Sequence, residues 1–110
     1  VDPSGKVYYV TEGLLRALHR KVCNEPPPHW IGGPYHSYQR KDAMPLVPGE
    51  VAELTFNLFP TSVLFRKGHR IRIAIAGHDK DSFARIPAQG TPTITVQHLS
   101  YVDLPVIRRK

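Results

Sequence analysis

Apolar and polar residues alternate from Val51 to Phe59. Ala52, Leu54, Phe56 and Leu58 fall on one side of an extended chain, and Glu53, Thr55 and Asn57 fall on the other. The pattern predicts a half-buried β-strand. It recurs from His69 to Ala76, where Ile71, Ile73 and Ile75 share one face and Arg70 and Arg72 the other. Between the two, Pro60-Thr61-Ser62 breaks the ladder. Arg66-Lys67-Gly68 then supplies a turn whose glycine adopts positive φ at little cost.

Upstream, Lys6 to Thr11 is β-branched and aromatic, Glu12-Gly13 reads as a short turn, and Leu14, Arg16, Leu18 and Arg20 alternate over Leu14 to Lys21. A hairpin is predicted there. Helix competes for Leu14 to Lys21, because Leu, Ala and Arg favour it, but no capping residue other than Thr11 precedes the segment. Residues 22–34 carry Pro26, Pro27, Pro28, Gly32, Gly33 and Pro34, so they form a surface loop that Trp30 and Ile31 pin down. Thr93 to Leu99 and Val102 to Ile107 supply two further strands, the last crossing Pro105, which suits a sheet edge.

Roughly six or seven short strands with frequent turns describe an all-β fold, an antiparallel β-sandwich or barrel. A complete jelly roll takes about eight strands, so the expected sandwich is incomplete, with an uncovered sheet edge open to self-association. The 110 residues are expected to form a single domain (1–110) cut from something longer. Hydrophobic residues make up 41% and charged residues 22%, which indicates neither disorder nor a membrane protein. The one cysteine, Cys23, excludes an internal disulfide; the compartment stays open, with a cytoplasmic one favoured. Net charge is +6, but the basic tail Arg108-Arg109-Lys110 supplies half of it and the other basic residues are interleaved with acids. No nucleic-acid partner is therefore expected.

Candidate chemistry is sparse. No G-x-S-x-G turn is present, and Ser62, Ser82 and Ser100 read as turn or cap hydroxyls, so no catalytic residue is assigned. Asp79-Lys80-Asp81 pairs two carboxylates in a manner that suits calcium, but the glycine and glutamate of a calcium-binding loop are missing; a solvated capping loop is the better reading. Cys23, His29 and His36 match no zinc spacing, so neither metal nor cofactor is expected. Trp30, Tyr35 and Tyr38 crowd the Pro/Gly loop. They serve either as its own staple or as a stacking platform for a sugar, the latter making the chain a carbohydrate-binding module. Arg70 and Arg72 oppose the isoleucines and are expected to pair with carboxylates such as Glu53 or with a neighbouring domain.

Four segments in order carry a family resemblance. Gly13-Leu14-Leu15-Arg16-Ala17 is similar to G-x-[LI]-R-A, and Pro45-Leu46-Val47-Pro48-Gly49-Glu50-Val51 to P-L-x-P-G-E-V. Pro60-Thr61-Ser62 with Phe65 and Gly68-His69-Arg70-Ile71-Arg72 is similar to P-T-S-x-x-F-x-x-G-H-R-[IL]-R, and Leu104-Pro105-Val106-Ile107 to L-P-V-I. Together they resemble the C-terminal domain of the CocE/NonD serine hydrolases, which also closes the X-prolyl dipeptidyl-peptidases. Gly77-His78-Asp79-Lys80-Asp81 departs from the family's Ser-rich stretch before Asp-Phe-Pro. The resemblance implies a galactose-binding-like jelly roll that packs behind an α/β-hydrolase domain. That domain carries the Ser-Asp-His triad and cleaves an ester or amide through an acyl-enzyme. No triad member falls on these residues.

Overall fold

The computed structural model describes residues 1–86 and 88–107. The basic tail expected at 108–110 lies outside the described residues. By its contacts the chain divides into two compact units, Val1–Ile71 and Arg72–Lys110.

The expected all-β sandwich is overturned. Among the described residues there is no strand, sheet or α-helix, only two single 3-10 turns, Ala17–His19 and Arg40–Asp42. Alternation dictates which side chains share a face of an extended segment; a strand also needs a continuous ladder with a neighbour. Here the extended segments meet at isolated points. The Phe59 N–H bonds the Glu12 carbonyl at 2.8 Å, Met44 N–H the Leu18 carbonyl at 2.8 Å, and Cys23 N–H the Tyr35 carbonyl at 2.8 Å. Val1 and Arg70 exchange two bonds, at 2.7 and 2.8 Å. No second layer covers the apolar rows either: Leu54, Phe56 and Leu58 stay 39–40% exposed, and no hydrophobic side chain among the described residues is fully buried.

The expected 6–21 hairpin is replaced as well. Thr11 Oγ1 donates to the Phe59 carbonyl at 2.7 Å, so residues 11–13 run against 56–59 rather than folding back on 14–21. Leu14 to Lys21 is neither strand nor α-helix. Arg16 stands extended in front of the first turn with no side-chain cap, so the turn closes through His19 N–H and Arg20 N–H and goes no further. The Arg20 guanidinium then spends its donors on the carbonyls of Ala17, Met44 and Pro45, fixing segment 44–45 beside the turn.

Gly68 holds φ +84° in the turn closed by His69 N–H on the Arg66 carbonyl at 3.0 Å, the positive value its place in Arg66-Lys67-Gly68 leads one to expect. At the start of this unit Asp2 gathers donors from Ser4, Lys6 and Tyr8. The Ser4 hydroxyl foremost holds its carboxyl below the ordinary value. In the second unit Asp79 accepts from Asp81 N–H at 2.9 Å and is likewise held low, chiefly by the Ser82 side chain. Among the described residues no helix is long and apolar enough to cross a membrane.

Candidate binding site

Three segments of the first unit, 18–25, 35–44 and 55–57, converge on His36. It is the one buried residue among those described, at 4% exposure. Its Nδ1 lies 2.9 Å from the Lys21 carbonyl oxygen and its Nε2 2.9 Å from the Thr55 carbonyl oxygen. Each ring nitrogen thus lies against a backbone carbonyl oxygen, and since a neutral imidazole has one N–H it donates to one of the two according to its tautomer, with the ring wedged between the segments.

Beside His36, Asp42 stands at the end of the second 3-10 turn with its side chain 13% exposed. Lys21 Nζ reaches Asp42 Oδ1 at 2.5 Å and the Ser37 hydroxyl donates to Oδ2 at 2.6 Å. The Cys23 thiol approaches the same Oδ2 at 4.0 Å. These donors, Lys21 first and Ser37 second, hold the Asp42 carboxyl below its ordinary value. The same bond to Asp42 raises the Lys21 ammonium above its own. Because Ser37 donates straight to a carboxylate while His36 is committed to carbonyls, no imidazole stands as base to this serine.

An open cavity of about 410 Å³ lies against the cluster, lined among others by Lys21, Asn24, Tyr35, Ser37, Gln39 and Lys41. Between the wall residues Ser37 and Gln39, Tyr38 holds a left-handed conformation, φ 56°, which costs a non-glycine residue roughly 1–2 kcal/mol. Ring contacts with His19 (5.4 Å between centroids) and His36 (6.2 Å) and a bond from Gln39 N–H to Ser37 Oγ offset that cost.

The residues singled out in the sequence are dispersed among these features. Trp30 and Tyr35 meet edge to face at 5.2 Å, and the Trp30 indole donates to the Gly33 carbonyl at 3.1 Å. Tyr38 meets His19 edge to face and His36 at a tilt instead. Ile31, expected to help pin the loop, is 90% exposed; the anchor is Asn57, whose amide donates to the Gly32 carbonyl at 3.0 Å. Arg70 meets Val1 through its backbone, Glu53 accepts from the Thr55 hydroxyl, and Arg72 is exposed in the second unit. Among the described residues the one ion pair is Lys21–Asp42. Sequence reasoning missed Ser37, Lys41 and Asp42, because partners 21 residues apart in sequence obey no spacing rule.

The chain belongs to the family of the X-Pro dipeptidyl-peptidase C-terminal non-catalytic domain, whose model matches residues 1–104. It is 54% identical, over 98% of its length, to proteins from Mycobacterium bovis and Mycobacterium tuberculosis that are each named as a serine esterase. It is 37% identical, over 61% of its length, to a Streptomyces avermitilis protein named as an Xaa-Pro dipeptidyl-peptidase. The chain spans 18% of the length of the mycobacterial relatives and 10% of the Streptomyces one. No solved structure matches at a significant level.

Proposed function

We propose that this chain is the accessory part of a serine hydrolase, held against the catalytic part of the same polypeptide and helping to keep its cleft in shape. The row Leu54, Phe56 and Leu58 carries the reading: these alternate residues of one segment remain 39–40% exposed, with Gly13 close against Phe56 and Leu58 but no fully buried apolar core around them. Apolar surface left open in this way favours a partner, since each square ångström removed from water contributes about 25 cal/mol. The family and the names borne by the relatives suggest the partner's class, a domain that cleaves an ester or amide through a serine acyl-enzyme. Where that partner is missing, the same row drives self-association.

The test mixes this chain with the remainder of the Mycobacterium bovis relative and follows sedimentation and amide exchange. Complex formation with slowed exchange at 54–58, abolished by Leu54→Ser with Phe56→Ser, is expected. Two species sedimenting independently would overturn the proposal.

A further inference from the structure

We propose that the Pro/Gly loop of residues 26–34 is a preformed docking element whose Ile31 seats in an apolar recess of the catalytic part of the same polypeptide. The inference rests on the docking reading above and names the residue that anchors it. Ile31 is 90% exposed, more than any other large apolar side chain of the first unit. The backbone on both sides of it is nevertheless tied down. Trp30 N–H bonds the Pro27 carbonyl at 2.9 Å and the Trp30 indole N–H bonds the Gly33 carbonyl at 3.1 Å, so the turn that carries Ile31 closes on itself. The Asn57 amide donates to the Gly32 carbonyl at 3.0 Å and Cys23 N–H to the Tyr35 carbonyl at 2.8 Å, which fasten the loop to the body of the unit. Pro26, Pro27, Pro28 and Pro34 fix φ at four further positions. An apolar side chain held out on such an ordered turn gives up little conformational freedom when a partner takes it in.

The composition of the loop sets the chemistry of what it fits. No Lys, Arg, Asp or Glu stands between Glu25 and Arg40, in a chain of which 22% is charged. Covering this stretch therefore strips no ion of its water. Trp30 and Tyr35 within it are of the types enriched where interfaces are fully buried and charge is depleted. The complementary surface is accordingly apolar, not a phosphate backbone or an acidic patch. The place of the loop names the partner: Asn57, which holds Gly32, stands between Phe56 and Leu58, so the loop is tied directly to the segment that carries the exposed row. The chain spans 18% of the length of the mycobacterial relatives, and the greater share of such a polypeptide is left to supply the recess.

The full chain, native or carrying Ile31→Val or Ile31→Ser, is mixed with the remainder of the Mycobacterium bovis relative, and the dissociation constant of the complex is read by sedimentation. Ile31→Ser should weaken the complex about tenfold or more, as expected for an aliphatic side chain of this size that association buries, and Ile31→Val should stay within about threefold of native. The urea midpoint of each variant alone should equal that of the native chain, because Ile31 is in water before the partner arrives. A complex formed as tightly by Ile31→Ser as by the native chain would overturn this inference and leave docking through 54–58 standing; no complex with the native chain would overturn both. A lowered urea midpoint in Ile31→Ser would make the residue a support of the loop. Self-association that Ile31→Ser abolishes would give the loop to a second copy of the chain. Either result would overturn the inference as well.

Discussion

Gly13 lies so close to the backbone of Asn57 that a Cβ built onto it would stand 2.6 Å from the Asn57 carbonyl oxygen. The same Cβ would meet Phe56 Cε2 at 3.0 Å and Leu58 Cδ2 at 3.1 Å. Gly13 thus serves close approach of two segments; it does not have the positive φ of a turn glycine. The carbonyl cannot swing aside cheaply, because Thr11 and Glu12 are bonded to Phe59 immediately beyond it. Gly13→Ala should therefore cost about 1–3 kcal/mol as overpacking. The midpoint of urea unfolding measures it, and an unshifted midpoint would show that the two segments part without penalty.

His36 supplies a second stability prediction. Removing its ring takes the N–H donor from whichever of the Lys21 and Thr55 carbonyls it serves, in the most enclosed place of the unit, at a cost of about 1–3 kcal/mol for His36→Ala. Packing loss alone would be relieved by a ring of similar size, whereas an unpaired carbonyl would not. His36→Phe should consequently destabilise about as much as His36→Ala in the same unfolding assay. Near-wild-type stability of the phenylalanine variant would assign the effect to volume.

The contrast between these two residues marks how much was legible beforehand. Turn chemistry is local, so Arg66-Lys67-Gly68 announced its positive φ, and four ordered motifs announced the family. Pairing is not local. The alternation of Leu54, Phe56 and Leu58 names a shared face but carries no information on which segment lies alongside; the Glu12-Gly13 turn predicts a hairpin of 6–11 with 14–21, whereas Thr11 and Glu12 bond to Phe59. Nor does periodicity guarantee a ladder, which also needs a neighbouring segment whose N–H and C=O groups fall in register over several residues. The Lys21–Ser37–Asp42 cluster was invisible for the related reason that its members lie on segments brought together by the His36 ring and the Arg20 guanidinium.

At Gly68 the φ of +84° is the whole argument. An added Cβ would be in ordinary contact with Pro3 Cγ, at 3.4 Å, so space is not limiting and backbone strain alone remains. Gly68→Ala should cost about 1 kcal/mol. Gly68→Asn should cost less, since asparagine tolerates the left-handed region. Unfolding midpoints that rank glycine, asparagine, alanine confirm this; alanine equal to glycine would mean that the turn relaxes to negative φ.

The Lys21–Asp42 pair makes stability depend on pH at both ends of the scale. Asp42 has a folded value below its ordinary 3.8, so its contribution is complete above that value and is lost as pH falls through the depressed one. Lys21 has a folded value above its ordinary 10.5, so its contribution is complete below 10.5 and is lost as pH rises through the raised one. The pair therefore stabilises the fold across the interval between, and added salt weakens it because the Lys21 side chain is 49% exposed. An NMR titration of the Asp42 carboxyl carbon separates the causes. In Lys21→Met the midpoint should rise toward 3.8, with a smaller rise in Ser37→Ala, since the lysine bond is the larger of the two influences. If the midpoint stays put in Lys21→Met, the ammonium does not hold that carboxylate in solution.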